Sequence, residues 1–549
     1  MNSRMNTPLN VTAILCFAAA LLTPARLKSA EPSGNVATGF YFPSTGATVE
    51  KQALLLSIDD YLLPIRENVG IYLSTPKTRK EPVLVPSKEN SAAPDQVAAN
   101  FYGAVLHEEG KYRMWYYAIG LKEPGNAYRP DQKNLLLGPV CYAESDDGLT
   151  WTKPNLGQVT FRGSKRNNAI ALPDAMIEGV HVIKDEAETD PQRRYKMVYN
   201  PHDGKTWVIR TATSPDGLHW NAAEHFGIDQ FLETASFYKF NETYVVHGQR
   251  ITHSEGGHPS GRQGRAIIST DFDTWLGGNA VAFDLPEPAK PEERGPRKPY
   301  DQVHLGVGAA SYGNVAIGLY GLWHNMPGDN DSQKRWGWFG YGKISCDLGL
   351  VISNDGLHFR EPVKGRAYIA SQDSPATPID GKPWPTILCQ SGNGILNVGD
   401  ETRIYFGRWR NADYETGDYA EVALATLPRD RWGSLGLYPG GLDHSPKQST
   451  GAVWSAPVRL PKSGCSVVLN ADHARRMSVE IADEKFKLIS AYSGTRSGKP
   501  TLDSGLDCPV TWTEGDLAKL GGQTVRFKIN FERHPDADSR LFAVYLRSR

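Results

Sequence analysis

One short motif recurs along the chain and constrains its fold more than any other feature. It reads Ser-x-Asp-Gly-x-x-aromatic from Ser145, Ser214 and Ser353, and takes the variant form STDFDTW from Ser269. Each copy follows an alternating stretch that is typical of a β-strand. The Asp-Gly step predicts a tight turn, because Gly accepts a positive φ angle and the Asp side chain caps the turn. We therefore expect these aspartates to form turns rather than to act as catalysts.

A second repeat, of strand, polar turn and strand, alternates with this motif. Its five copies start at Gly103, Val180, Ala235, Val307 and Gly392. Groups of about four short strands that recur at intervals of roughly 50 to 90 residues are typical of β-propeller blades. The sequence therefore predicts an all-β protein, with a five-bladed β-propeller followed by a C-terminal β-sandwich.

The predicted domains follow from where the repeats and the composition change. Residues 1–30 form a predicted signal peptide, residues 31–440 the propeller and residues 441–549 the sandwich. Residues 31–60 are candidates for the strand that closes the propeller ring. The sandwich is either a carbohydrate-binding module or a brace on the propeller, and the sequence leaves both alternatives open.

The N-terminus predicts the location of the protein, and the charge balance argues against nucleic acid as a partner. A basic start, the apolar run VTAILCFAAALL and the small residues after it predict a bacterial secretory signal, hence a secreted or periplasmic protein. The run is shorter than the ~20 residues that span a membrane, so we expect no membrane insertion. Lys and Arg number 60 against 61 Asp and Glu, which gives no basic footprint for nucleic acid.

The cysteines and polar loops predict no metal site and no cofactor. Cys141, Cys346, Cys389, Cys465 and Cys508 are scattered beyond the signal, without the close pairs of a zinc site. Cys465 and Cys508 either form a disulfide or stay free thiols. The loop PGDNDSQ is too short for an EF-hand, so a structural calcium ion is conceivable for such a propeller but is not indicated.

Four further stretches carry a resemblance to a known group of proteins. LLLSIDDYLL, YRMWYYA, CYAESDDGLTWTKPNLG and RYKMVYN resemble the secreted five-bladed propeller proteins labelled as glycoside hydrolase family 32-like or 43-like. This resemblance implies a carbohydrate substrate that is hydrolysed by acidic residues in the central funnel. It also implies that a glutamate of the third blade is the general acid, with aspartates in the first two blades. An Asn-Asp-Pro-Asn run typical of β-fructosidases is absent.

Counting along the innermost strands gives the candidate carboxylates. Glu178 in the second blade and Glu233 in the third each lie five residues before the end of the predicted innermost strand, and both follow apolar residues. A Glu in such a strand is costly unless it is paired or faces a cavity, and a glycosidase needs two carboxyl groups across the scissile bond. The first blade shows no acid at this position. Asp60 and Asp301 are therefore the further catalytic candidates.

The candidate substrate-binding residues come from the same register and from nearby loops. Aromatic rings stack on sugar faces, while amide, imidazole and guanidinium groups fix the orientation of the sugar. Arginine also suits a carboxylate or sulfate on the substrate. The predicted substrate-binding residues are Asn100, Tyr102, His304, Trp323, His324, Gln390 and Arg408.

Three functions are compatible with these observations. The first is an exported glycoside hydrolase that acts on a plant or algal polysaccharide or oligosaccharide. The second is a non-catalytic glycan-binding propeller, because a fold does not by itself fix a function. The third is a lyase or another sugar-modifying enzyme that uses His304 and a tyrosine.

Overall fold

The computed structural model describes residues 47–87, 92–121, 135–174, 176–202, 205–224, 232–253, 259–284, 303–325, 344–378, 381, 384–410, 419–439 and 449–549. Within these ranges the regular elements are β-strands and short 3-10 turns, which confirms the all-β prediction. No helix there is long and apolar enough to cross a membrane. The predicted signal peptide lies outside the described residues.

The described chain begins with four strands that join the sandwich rather than the propeller. These are β1 (Ala47–Thr48), β2 (Gln52–Leu56), β3 (Ile65–Glu67) and β4 (Val69–Leu73). Strand β2 pairs with the last strand of the chain, with Gln52 opposite Arg547. This pairing corrects the predicted domain boundary and the prediction that this segment closes the ring. The two partners lie at opposite ends of the sequence, so no local pattern reports their pairing.

The next twenty strands form the five blades of the propeller. The first of them, β5 (Lys77–Thr78), pairs with the last strand of the fifth blade and so closes the ring. The first blade contains β6 (Ala98–Glu108), β7 (Lys111–Leu121) and β8 (Leu135–Ser145). The second contains β9 (Ile177–Lys184), β10 (Tyr195–Pro201), β11 (Arg210–Ser214) and β12 (Asn221–Ala222). The third contains β13 (Glu233–Phe240), β14 (Thr243–His253), β15 (Pro259–Ser269) and β16 (Leu276–Phe283). The fourth blade contains β17 (Val303–Ser311), β18 (Ala316–Asn325), β19 (Ile344–Ser353) and β20 (Ala367–Ile369). The fifth contains β21 (Thr386–Cys389), β22 (Ile395–Val398), β23 (Glu401–Arg410) and β24 (Tyr419–Pro428).

Nine C-terminal strands complete the sandwich. They are β25 (Gly433–Leu437), β26 (Thr450–Trp454), β27 (Val458–Arg459), β28 (Cys465–Asp472), β29 (Met477–Ala482), β30 (Lys499–Pro500), β31 (Gly505–Thr511), β32 (Thr524–Glu532) and β33 (Arg540–Ser548). One sheet has the order β30-β31-β28-β33-β25-β4, with β2 also on β33, and the other has β1-β27-β32-β26-β3, with β29 also on β32.

The sandwich packs firmly against the fourth and fifth blades. Leu54 and Leu56 of β2 share one apolar cluster with Leu350 of the fourth blade and Phe406 of the fifth. Burial of such a shared cluster favours association of the two domains in proportion to the apolar area removed from water. This shared cluster is the contact that a brace on the propeller requires.

The recurring motif forms the same capped turn in all four blades that carry it. In the first, the Asp147 carboxylate accepts hydrogen bonds from the backbone N–H groups of Leu149 (2.7 Å) and Thr150 (2.8 Å), while the Gly148 N–H donates to Ser145 Oγ (2.8 Å). These N–H bonds lower the pKa of Asp147 to about 2. In the third blade, Phe272 takes the glycine position with φ +70°. The prediction that the motif aspartates form turns is confirmed.

The five cysteines beyond residue 46 are buried free thiols. Cys465 and Cys508 are therefore not joined to each other, which resolves the alternative that the sequence left open. Both lie in the apolar core of the sandwich, where burial raises the pKa of the Cys465 thiol to about 11.

Candidate active site

The innermost strand of every blade is irregular at the same level along the central axis. Register shifts interrupt pairing near Asn100 in β6, Pro201 opposite β9, Ala235 in β13 and Leu305 in β17. In the fifth blade a 3-10 turn separates β21 from β22. Bulges of this kind re-aim side chains and are frequent next to active sites. The axis is therefore lined by side chains whose direction simple strand alternation does not give.

The turn of the fifth blade lies on the axis and ties the blades together. We call residues 390–394 the axial turn. Its Ser391 hydroxyl donates to the carbonyl of Gly103 in the first blade. Its Asn393 side chain accepts from the N–H of Phe237 in the third blade (2.9 Å) and donates to the carbonyl of the same residue (2.7 Å). The axial turn thus crosses the channel and joins opposite blades.

The second and fourth blades are tied to the same turn. The Asn393 amide also donates to the Val182 carbonyl (3.2 Å), and the amide of Gln390 donates to the Gly306 carbonyl (3.0 Å). Gln390 is fully buried. The structure therefore gives Gln390 a role in joining blades, in place of the predicted contact with substrate. On the other side of the turn, the far ends of the inner strands line a cavity of about 370 Å³.

Glu178 and Glu233 lie at the starts of neighbouring inner strands, as the register count predicts. Glu178 is the second residue of β9 and Glu233 the first of β13, and both side chains are half-buried. Asn200 belongs to β10, which pairs with β9, and its side-chain oxygen accepts from the N–H (2.9 Å) and the hydroxyl (2.6 Å) of Thr234 in β13. Gly179 of β9, with φ +87°, lies close to both side chains. A Cβ added there would be 3.3 Å from the Thr234 hydroxyl oxygen and 3.5 Å from the Asn200 side-chain oxygen. Asn200 thus fixes the two glutamate-bearing strands relative to each other.

Glu233 is oriented by a residue that sequence reasoning did not identify. Gln249 lies directly opposite it on β14, and its side-chain N–H donates to the Glu233 carboxyl group. The Gln249 side-chain oxygen accepts in turn from the Leu305 N–H in the fourth blade (2.6 Å). Leu305 adopts φ +60°, an uncommon conformation for a non-glycine residue. This bulged backbone therefore positions Gln249, which positions Glu233.

Tyr102 and Cys389 share an apolar cluster with Ala235, two residues after Glu233. The Tyr102 hydroxyl is hydrogen-bonded to the Cys389 thiol, and its ring lies 6.0 Å from that of Tyr117. Burial raises the pKa of Tyr102 well above its usual value, and the interaction with Glu233 raises it further. Burial likewise raises the pKa of Cys389 to about 12. Both groups are therefore protonated near neutral pH.

Aromatic rings surround this group. Trp323 belongs to the same apolar cluster as Tyr102, Tyr117 and Cys389, and the half-buried Trp207 and Trp409 pack against it. Rings that keep part of their surface accessible can stack on the apolar faces of sugars. Trp207 was not among the predicted residues, because it lies in a short loop without a repeat signal.

Asp60 does not lie with the axial glutamates. It follows β2 and forms an ion pair with Arg360, with Nε 2.6 Å from Oδ1. Its neighbour Asp59 is fully buried, bonds the same Arg360 (2.8 Å) and accepts from Asn354 (2.7 Å) in the fourth-blade turn. Burial raises the pKa of Asp59, and Arg360 opposes this shift. The two aspartates therefore anchor the sandwich strand to the fourth blade, which corrects the prediction of a catalytic base at Asp60.

Arg408 is also a structural residue. Its side chain is almost completely buried, with Nε donating to Ser374 Oγ (2.8 Å) and Nη1 to the Lys80 carbonyl (2.8 Å). The other terminal nitrogen donates to the Arg79 carbonyl, and Nη1 lies 3.6 Å from the buried Glu421 carboxylate. These contacts occupy all three nitrogens, so the structure corrects the predicted contact between Arg408 and substrate.

The remaining candidates stay predictions. Asn100 is buried in the bulged part of β6, two residues from Tyr102. His304 lies in β17 and His324 in β18, and their predicted contacts with substrate stay predictions. Asp301 lies outside the described residues. Within the described part of the chain, no group of His, Cys, Asp and Glu side chains could hold a metal ion.

No family model matches the sequence, and a curated protein is similar to part of it. Over 176 residues, or 31% of this chain, it is 24% identical to a β-1,2-mannobiose phosphorylase of Thermoanaerobacter sp. (strain X514). The matched region spans about half of that relative, 53% of its length.

Solved structures to which the chain is similar include several glycoside hydrolases. A glycosyl hydrolase from Bacteroides ovatus is 16% identical, with 66% of this chain and 95% of that chain covered and a TM-score of 0.41. A structure from the GH130 family of mannoside phosphorylases, which contains hydrolases of β-1,2-mannosidic linkages in Candida mannan, is 14% identical (69% and 97% covered, TM-score 0.40). A family 43 arabinoxylan arabinofuranohydrolase from Bacillus subtilis is 11% identical (82% and 96%, TM-score 0.32).

Proposed function

We propose that this protein is an exported carbohydrate-active enzyme that cleaves a glycosidic bond, with Glu233 as the proton donor. The observation that carries the proposal is the setting of Glu233, which starts an inner strand, is half-buried and is oriented by Gln249. A carboxyl group that is fixed by its neighbours and shielded from bulk water suits general acid catalysis. The similarity to a mannobiose phosphorylase supports a glycoside as the substrate class.

Hydrolysis is the first reaction that this site supports. Glu233 gives its proton to the glycosidic oxygen as the bond from that oxygen to C1 breaks. Water forms the new bond to C1, and a second carboxylate, for which Glu178 is the candidate, accepts a proton from that water. The products are a free reducing sugar and a shortened glycan. We propose a plant or algal polysaccharide or oligosaccharide as the source of the substrate.

Phosphorolysis is the second candidate, and the curated relative favours it. Here inorganic phosphate, rather than water, forms the bond to C1, and the product is a sugar 1-phosphate. Phosphate is already a nucleophile at neutral pH, so this reaction needs Glu233 as acid but no second carboxylate as base. The role of Glu178 therefore separates the two reactions.

The test is a product assay on the full chain with and without inorganic phosphate. The substrates are β-1,2-mannobiose and a panel of plant and algal polysaccharides, and the proteins are wild type, Glu233→Gln and Glu178→Gln. Hydrolysis predicts reducing sugar without phosphate and loss of activity in both variants. Phosphorolysis predicts sugar 1-phosphate that requires added phosphate, with a large loss in Glu233→Gln alone.

The outcomes separate the remaining possibility as well. No cleavage of any substrate, together with measurable binding of a glycan, would replace the enzyme by a glycan-binding propeller with an aromatic funnel. Cleavage that survives in folded Glu233→Gln would refute the proposed proton donor. Export is tested separately, by expressing the whole chain in a bacterial host and determining the N-terminal residue of the protein in the periplasm and medium.

A further inference from the structure

The sandwich carries a groove that the proposed reaction does not use. It has a volume of about 410 Å³ and lies on the outer face of the sheet that contains β3, β26, β29 and β32. Strand register places Ser478, Asn530, Ala452 and Glu67 in one row across the four strands. Because side chains alternate between faces, this row points away from the core side, where Ile529 lies.

The floor of the groove is a set of polar groups held in fixed positions. The Glu480 carboxylate accepts from the Gly494 N–H (2.8 Å) and the Asn530 amide (2.9 Å), and Lys528 lies 3.6 Å from it. Next to this set, the Lys528 ammonium lies 5.2 Å from the ring centre of Trp454. Groups that are already oriented lose little freedom when a ligand binds, which favours affinity.

The wall of the groove supplies positive charge. Arg475 and Arg476 lie in the turn before β29, and Lys499 lies in β30; all three are exposed. None of them forms a salt bridge with another residue that the structure describes. The exposed carboxylates of Glu67 and Glu532 line the same groove. A ligand with an anionic group near the three cations and hydroxyl groups near the carboxylates would satisfy both kinds of charge.

We propose that this groove is a second binding site, for a glycan that carries carboxylate or sulfate groups. Arginine binds such groups through paired N–H donors, and lysine adds a point charge. Hydroxyl groups of the sugar donate to Glu67 and exchange hydrogen bonds with Asn530 and Ser478. The choice of a glycan, rather than another anion, rests on the proposed function. The groove itself is formed only by sandwich residues and is separate from the axial glutamates.

Binding measurements on the full chain test this proposal. The protein carries Glu233→Gln so that turnover does not consume the ligand, and its binding is measured by affinity electrophoresis and calorimetry. The ligands are polygalacturonate, alginate, a sulfated galactan and neutral mannan. The groove variant is Arg475→Ala with Lys499→Ala, and the matched control is Lys485→Ala with Lys487→Ala, which removes two exposed lysines of the same domain.

We expect the groove variant to bind at least one acidic glycan at least tenfold more weakly, and the control to change binding less than twofold. Thermal unfolding should be unchanged in both. Equal binding by the groove variant and the control, equal affinity for neutral mannan, or no binding of any acidic glycan would overturn the proposal. Cleavage by wild type without groove binding would contradict this site alone, and groove binding without cleavage would contradict the proposed enzyme alone.

Discussion

The third blade carries acidic side chains at both of its ends and uses them in different ways. At the outer turn, the Asp271 carboxylate accepts from the Ser269 hydroxyl (3.0 Å) and from the N–H groups of Asp273 (2.9 Å) and Thr274 (2.7 Å). At the axis, Glu233 is held by Gln249, sixteen residues away in sequence, and Gln249 is held in turn by the Leu305 N–H of the fourth blade.

The difference lies in which part of the chain supplies the partners. Asp271 is bound by residues within three positions of itself, so its bonds form whenever the turn forms, and they lower its pKa to about 2. Gln249 lies opposite Glu233 in the same blade, but the Leu305 N–H that holds Gln249 comes from the fourth blade and meets it only when the blades close into a ring. A carboxylate that its own turn holds is structural, whereas one that faces the axis is available for chemistry. The following predictions test this contrast.

The largest effect is expected at the axis. Glu233→Gln should lower turnover by about 10²- to 10⁴-fold, because the amide cannot donate the proton. The melting temperature should change little, since the amide has nearly the same shape. Initial rates and thermal unfolding measure the two effects. As the matched change at the other end of the blade, Asp271→Ala should keep turnover within a factor of about three; a comparable loss there would abolish the contrast.

A smaller effect on turnover is expected for Gln249→Leu. This change removes the donor to Glu233 and the acceptor for the Leu305 N–H, so Glu233 loses its fixed orientation. Misplacement of a catalytic group costs up to about 100-fold in rate. We expect the loss in kcat with KM nearly unchanged, because Gln249 positions the acid rather than binding the sugar. A variant that raises KM and spares kcat would instead make Gln249 a ligand of the substrate.

At the outer end the expected effect is on stability alone. Asp147→Ala removes the acceptor of two turn N–H groups and should lower the free energy of unfolding by about 1 kcal/mol, as loss of a cap does in helices. Urea unfolding measures the change. Asp146→Ala is the control, because Asp146 lies in the same turn and its side chain is 91% exposed. Equal destabilisation by the two variants would show that the caps contribute nothing.

The smallest expected effect is on the stability of the protein at acidic pH. The pKa values of Asp147, Asp216 and Asp271 are lowered to about 2, below the usual value near 4 for an unfolded chain. A lowered pKa in the folded state stabilises the protein above pH ~4, and this contribution is lost as the pH falls towards 2. The double variant Asp147→Asn, Asp271→Asn should therefore show a shallower loss of stability between pH 4 and 2 than Asp146→Asn, measured by thermal unfolding at each pH.

The sequence determined the parts of this protein that depend on local interactions. The capped turns were readable because Ser, Asp and Gly act on their own neighbours, as in the turn from Ser145 to Trp151. Their number and spacing then indicated blades, and the strand register placed Glu178 and Glu233 at the starts of inner strands.

Only the tertiary structure decided which polar residues face the axis and which hold domains together. Gln390, Asp60 and Arg408 looked like site residues, but their partners are Gly306, Arg360 and the Arg79 and Lys80 carbonyls. The pairing of β2 was also decided by the tertiary structure, because its partner β33 is the last strand of the chain. These contacts join segments that are tens to hundreds of residues apart, and bulges turn the inner strands away from simple alternation. The physical reason is that a local pattern specifies a turn or a strand, whereas ring closure specifies which side chains meet.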